Sequence, residues 1–358
     1  MNKQYSKLSL AFLLLVGTVD SLYATFQERS KTLHRTMEVN ADALVRIENA
    51  FGDLNISSWD QNEVVIDVVI TVNGRSSKSV QEKLDAIDVE FSLEPSRVEA
   101  VTRVEEGWGF KWFSSNSINY KIDYTVKLPL SNSVDLKNDY GSIRLNRLKG
   151  HAKIRCDYGK LIIGELLAED NELSFDYTSN SSFDYIESGS INADYSGFDL
   201  EEAGKIRLNA DYTNAYFHKI GQLDFKNDYG KIEIDAVAVL RGSGDYLTVS
   251  CGSVHQQLDL QNEFGLIRVN HIYPEVKEVQ IDASYTGIQL GIDSQWAFDY
   301  TVDLEYASFK STVPLEHTVE RIKSTEKFFS GKSFDRPNNA TLNITSEYGS
   351  VKFNATNP

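Results

Sequence analysis

An aromatic residue recurs along this chain at a nearly fixed interval, and that interval restricts the fold more than any other feature. Tyr140, Tyr158, Tyr177, Tyr195, Tyr212, Tyr229 and Tyr246 are separated by 18, 19, 18, 17, 17 and 17 residues. Phe264 follows 18 residues later, and Tyr285, Tyr306 and Tyr348 continue at steps of 21, 21 and twice 21. An acid precedes nearly every ring (Asp139, Asp157, Asp176, Asp194, Asp211, Asp228, Asp245, Glu263, Glu305 and Glu347), with Ser284 the exception. A repeat of this length, with strand-like sequence between the marks, is the signature of a solenoid, in which each unit buries its apolar face against its neighbours.

The units themselves read as corners followed by strands. Asn138-Asp139-Tyr140-Gly141-Ser142-Ile143-Arg144-Leu145 is matched by Asn227-Asp228-Tyr229-Gly230-Lys231-Ile232-Glu233-Ile234 and by Asn262-Glu263-Phe264-Gly265-Leu266-Ile267-Arg268-Val269. Alternation sends Ile143 and Leu145 to one face of a strand and their neighbours to the other. Glycine is expected to supply the unusual backbone angles of a tight corner. An antiparallel sandwich also has many short strands, but it has no reason to repeat tyrosine at every such step. In stacked parallel coils, equivalent residues lie about 4.8 Å apart, so the tyrosines become an aromatic ladder. The expected fold is therefore all-β: a parallel β-helix (β-solenoid) with coils of about 17–21 residues.

Residues 25–129 do not keep the interval. Strand pattern covers Arg35–Ile47, Glu63–Val72, Val89–Leu93, Val98–Val104 and Ile118–Leu128, and Asn49–Ile56 is a first copy of the corner motif. One short helix is expected over Ser77–Ile87, capped by Ser79 with Glu82, with Val80, Leu84 and Ile87 on one face. This region reads as first coils plus an insertion that caps an open end. Residues 130–358 form the regular solenoid, less regular after 310. There, Phe328 and Phe329 fall near an expected rung, Arg336–Asn339 reads as a loop, and Glu347–Phe353 closes the array.

The first 24 residues have the pattern of a signal peptide: Lys3 and Lys7, then an apolar run Leu8–Val19, then Ser21-Leu22-Tyr23-Ala24 before the cut. The remaining mature chain has no transmembrane segment of spanning length. The formal charge of -16 becomes one unit more negative without Lys3, Lys7 and Asp20. So acidic a surface excludes nucleic acid, whose phosphates demand Lys and Arg. Cys156 and Cys251 are too few for a disulfide framework and lie several coils apart. Asn339-Ala340-Thr341 and Asn343-Ile344-Thr345 match the glycosylation pattern, which matters only in a host that glycosylates secreted chains.

If the rings stack, so do the acids. Each carboxylate either accepts backbone N–H groups at its own corner or joins its neighbours around bound calcium ions. The glycine–aspartate nonapeptide of calcium-binding β-rolls is missing. Trp108, Phe110, Trp112 and Phe113 crowd into Gly107–Ser114, where they either bind a partner or fold back to cap the coil end. Trp59 and Trp296 read as packing residues. His34, His151, His218, His255, His271 and His317 show no linear ligand spacing, and no nucleophile elbow, phosphate loop or dinucleotide fingerprint occurs. Aspartates on neighbouring coils could imitate a polysaccharide-cleaving pair, but their uniformity argues against a reaction centre.

Val45-Arg46-Ile47-Glu48-Asn49-Ala50-Phe51-Gly52-Asp53-Leu54-Asn55-Ile56-Ser57-Ser58-Trp59-Asp60, followed by Glu63–Ile66, resembles the opening of the putative adhesin family of bacterial envelope proteins, widespread in the Bacteroidetes. The later Asn-Asp-Tyr-Gly copies fit the same pattern. The resemblance covers most of the mature chain, and it implies a right-handed β-helix with an extracytoplasmic role. It brings no catalytic, cofactor or ligand residues. Two functions follow: a secreted or cell-surface adhesin for a glycan or protein partner, or a periplasmic structural or signalling-associated protein.

Overall fold

The computed structural model describes residues 26–105, 118–334 and 339–357. They form a parallel β-solenoid, all β except for the helix Ser77–Asp85. The signal-like segment 1–24, the aromatic segment Trp108–Phe113 and residues 336–338 of the expected loop lie outside the described residues.

Each regular coil has one strand entering an aromatic corner and one leaving it. In the middle of the array these fuse into strands that run from corner to corner: Gly197–Asp211, Asn214–Asp228 and Gly230–Asp245. Neighbouring coils pair in parallel with a shift of 17 residues at Asp194↔Asp211, 18 at Asp139↔Asp157 and 21 at Glu263↔Ser284. Within Gly197–Asp211, the residues Phe198, Leu200, Ala203, Ile206, Leu208 and Ala210 point inward and are buried. The same alternation in every coil builds one continuous core from Val39 to Phe353. Burying a leucine or isoleucine side chain stabilises by roughly 1.5–3 kcal/mol, and here that burial needs the coil above and the coil below.

At both ends the spatial order departs from the chain order. Leu44–Ala50 lies between Arg97–Val104 and Ser133–Asp139, and Leu54–Trp59 lies between Asn119–Pro129 and Ile143–Leu148, all in parallel. Antiparallel strands then finish this end: Ile87–Glu94 on Arg97–Val104, Glu63–Gly74 on Asn119–Pro129, and Gln27–Glu38 on Glu63–Gly74. The expected strand Arg35–Ile47 is thus two strands, because a turn at Asn40–Ala43 (Ala43 N–H to Asn40 O, 3.2 Å) separates them. The helix packs on Gln27–Glu38 and Glu63–Gly74 through Val80 and Leu84. Its cap is Ser76, whose hydroxyl accepts the Ser79 N–H, so the expected Ser79 cap is displaced by one turn. Ile87 belongs to the next strand.

At the other end, Thr341–Glu347 and Ser350–Thr356 insert between two coils made earlier in the chain. They pair with Glu278–Ser284 and Gly287–Asp293 on one side, and with Asp299–Glu305 and Ser308–Ser311 on the other. The late copy at Tyr348 therefore does not close the array; the coil of Tyr306 lies beyond it. Phe328 and Phe329 make no rung. They lie on Glu326–Lys332, antiparallel to Asp299–Glu305, where Phe329 packs 5.3 Å from Phe309. The sheet ends on Glu316–Ile322, also antiparallel.

Candidate functional site: an exposed aromatic stripe

The recurring rings form one unbroken stack. In space the order is Phe51, Tyr140, Tyr158, Tyr177, Tyr195, Tyr212, Tyr229, Tyr246, Phe264, Tyr285, Tyr348, Tyr306, with centroids 4.8–5.1 Å apart and planes within 2–9° of parallel. Tyr120 closes one end edge-on, 5.1 Å from Phe51. The tyrosines remain 47–54% exposed, so the stack is an outer surface and not a core.

A left-handed backbone holds each ring in place. From Phe51 to Tyr348 the ladder residues have φ of 49–65°, a region that costs a side-chain-bearing residue about 1–2 kcal/mol. Two contacts offset that cost. The N–H of each corner tyrosine from Tyr140 to Tyr246 donates to the carbonyl of the acid on the next coil, as at Tyr140 to Asp157 (2.9 Å) and Tyr212 to Asp228 (2.8 Å), whereas the terminal Tyr306 donates to Thr325 (2.7 Å). The rings then stack face to face. The expectation that glycine carries the unusual angle is therefore corrected: the aromatic carries it, and no described glycine has positive φ. Glycine is required for close approach. A Cβ on Gly141 would sit 1.9 Å from the Gly52 carbonyl oxygen, and one on Gly230 would sit 2.1 Å from that of Thr213.

The acids before the rings are also held between coils. Asp176 accepts the N–H of Asp194 (3.1 Å), Asp194 that of Asp211 (3.0 Å) and Asp228 that of Asp245 (2.9 Å). The expected backbone bond exists, but its donor belongs to the next coil and not to the acid's own corner. Desolvation, followed by the charges of neighbouring acids, raises the pKa of Asp157 and Asp194 against the lowering effect of these N–H groups. Calcium takes six to eight oxygens, and no three acids of this column converge within ligand distance among the described residues. The phenols of Tyr158, Tyr195, Tyr229 and Tyr348 are raised by desolvation against their neighbours and by the adjacent tyrosines and acids, so they stay protonated donors.

Beside Tyr195 and Tyr212 runs a groove of about 700 Å³, lined by Thr178, Ser179, Asn180, Ser181, Gly197 and Asn214. Asn180 has φ of 57°, so the chain kinks there. The groove joins hydroxyl and amide groups to the outward edges of the stacked rings. Sequence reading alone did not find it, because it depends on which loop residues of adjacent coils come together. The residues proposed from sequence as a partner-binding tip, Trp108, Phe110, Trp112 and Phe113, lie outside the described residues. Trp59 donates its indole N–H to Glu63 O (2.8 Å), and buried Trp296 donates to Val276 O (2.9 Å), so both pack as expected. Cys156 and Cys251 are free and buried, their thiols pushed up to about 12 mainly by desolvation. No helix among the described residues is long and apolar enough to cross a membrane.

No protein-family model and no curated protein matches this chain. Solved structures do. A putative adhesin from Parabacteroides distasonis is 11% identical, with a TM-score of 0.37, over 73% of this chain and 97% of its own. A putative adhesin from Parabacteroides merdae is 11% identical, with a TM-score of 0.37, over 72% and 95%. A putative lipid binding protein from Parabacteroides distasonis is 10% identical, with a TM-score of 0.26, over 91% and 96%. Likenesses this loose carry no argument about function, which has to come from the surface itself.

Proposed function

We propose that this protein is a non-enzymatic, extracytoplasmic adhesin that holds a glycan against the aromatic stripe. The observation that carries this reading is the unbroken run of half-exposed rings beside a groove of hydroxyls and amides. The stacked rings turn their edges and phenol hydroxyls outward, and the hydroxyls of a sugar need paired donors and acceptors, which phenol, Ser, Thr and Asn supply. A stripe that repeats on every coil suits an extended polysaccharide. The acids beside it are alike from coil to coil, whereas a reaction centre sets one residue apart. Trp108, Phe110, Trp112 and Phe113 are proposed, on sequence alone, as a second contact.

The test is direct binding of the mature protein to a polysaccharide panel, repeated with Tyr195→Ala/Tyr212→Ala after circular dichroism has shown an intact fold. Loss of most of the affinity supports the stripe. Retained binding in that variant, abolished by Trp108→Ala/Trp112→Ala, moves the contact to the second segment, and binding only to proteins replaces the glycan. Protease treatment of intact cells checks location. Protection there, with release into the periplasmic fraction, would overturn adhesion in favour of a structural or signalling-associated role inside the envelope.

A further inference from the structure

Away from the stripe, on the outward face of the strands leaving the corners, one histidine stands among carboxylates. The 17-residue register places Glu201, His218 and Asp235 in one column on three successive coils, with Asp199 beside Tyr216 in the adjoining column. His218 Nε2 lies 3.3 Å from Asp199 Oδ1 and 3.6 Å from Glu201 Oε1. The ring's other nitrogen, Nδ1, is 3.0 Å from Asp235 Oδ2. Asp235 is held in turn by the Tyr216 hydroxyl, which donates to its carboxylate at 2.9 Å.

We propose that Asp199, Glu201 and His218 form a binding site for a single divalent transition ion, Zn2+ by ordinary availability. The geometry suits the ion in three ways. First, a tetrahedral zinc shell with bonds of about 2.0–2.1 Å has ligand-to-ligand edges of about 3.3–3.4 Å, close to the two distances at Nε2. Second, zinc-bound imidazoles characteristically give their other N–H to a carboxylate, which fixes the tautomer and turns the free nitrogen to the metal. Asp235 stands where that role requires. Third, Lys219, which directly follows His218 in the chain, is taken up by Glu202 at 2.7 Å and so is paired outside the cluster. The imidazole excludes calcium, which takes oxygen ligands. With His218 side-chain exposure at 32% and Glu201 at 62%, the fourth position opens to solvent or to a donor from another molecule. The ligands sit on paired strands, so little ordering is needed on binding.

The site is tested by isothermal titration of the untagged mature protein with Zn2+ at neutral pH, alongside His218→Ala, Asp199→Asn/Glu201→Gln and Asp235→Asn. The expected result is one saturable equivalent in the wild type, lost in the first two variants and weakened roughly 10–100-fold in Asp235→Asn. All altered side chains face outward, and far-UV circular dichroism checks each fold. If His218→Ala does not fold, the Asp199→Asn/Glu201→Gln result decides alone. Absence of saturable uptake by the wild type, or undiminished uptake by the folded ligand variants, overturns the proposal and leaves the group as an imidazole ion-paired with its acids.

Discussion

The corners at Tyr212 and Tyr229 are neighbours on the ladder, yet they satisfy their backbones by different routes. At Tyr229 the residue after the ring is Gly230 and the residue two before it is Asn227, whose side-chain N–H donates to the Thr213 carbonyl (3.0 Å). At Tyr212 the residue after the ring is Thr213 and the residue two before it is Ala210. The Thr213 hydroxyl donates toward the Ala193 carbonyl (2.7 Å) and accepts the Ser196 N–H (3.2 Å). The same exchange recurs at most other corners, though not at Tyr246 (Gly244 and Leu247) or Tyr306 (Leu304 and Ala307). Gly141, Gly159, Gly265 and Gly349 accompany Asn138, Cys156, Asn262 and Ser346, while Thr178, Ser196 and Thr286 accompany Phe175, Ala193 and Ala283. A Cβ on these glycines would come within 2.4–2.9 Å of the partner's Nδ2, Sγ or Oγ. Each of these corners therefore has room for one polar group, supplied from one side of the ring or the other.

Six substitutions break or sharpen this contrast. Gly230→Ser has the largest expected effect, about 3 kcal/mol, because its Cβ meets the Thr213 carbonyl and the Asn227 amide. Adding Asn227→Ala should recover part of that loss, and a denaturant double-mutant cycle should show a coupling of roughly 0.5–3 kcal/mol. Strict additivity would refute the idea of a shared space. Thr213→Val keeps the shape but leaves the Ser196 N–H without its partner, at an expected cost of about 1–3 kcal/mol in urea unfolding. Valine matching threonine would mean that the hydroxyl is dispensable.

Tyr212→Ala removes the ring contacts to Tyr195 and Tyr229 (4.8 Å each) and should cost about 1 kcal/mol in thermal melting. Tyr212→Gly should cost less, since glycine accepts the φ of 51° without strain. The smallest effect is expected for Asp194→Asn, which keeps an oxygen for the Asp211 N–H and removes a charge. A carboxyl whose pKa is raised on folding binds its proton more tightly in the folded state. It therefore adds stability as pH falls through the carboxylate range and loses that stability as pH rises. Asp194→Asn should thus melt slightly higher than wild type at neutral pH, by roughly 0.2–1 kcal/mol, with the advantage gone in acid.

The ladder was legible because stacking in register demands the same residue type at every step, and the coil length followed from it. Other features were legible only in part, for physical reasons. Glycine at the corner is visible in the sequence, but close approach and positive φ both select glycine, and only the carbonyl of the neighbouring coil tells them apart. The double step between Tyr306 and Tyr348 fits a skipped rung as well as an inserted one, since a repeat records which residues stack and not in what order. His218 looked isolated under linear motifs, although Glu201, His218 and Asp235 keep the 17-residue step of the tyrosines. That step, applied to polar positions between the corners, would have aligned them. The groove beside Tyr195 carries no such periodic mark, because the kink at Asn180 is local.

The inserted strands Thr341–Glu347 and Ser350–Thr356 also bear on biosynthesis. The coil of Tyr306 emerges from the ribosome before the two strands that will separate it from the coil of Tyr285. Until Thr341–Glu347 and Ser350–Thr356 are made, two parallel edges at this end have nothing between them, and neither can complete its backbone pairing. A chain cut before Thr341 keeps these edges open. Closing this end of the solenoid thus waits for residues 341–356, which follow in the chain both of the coils they join.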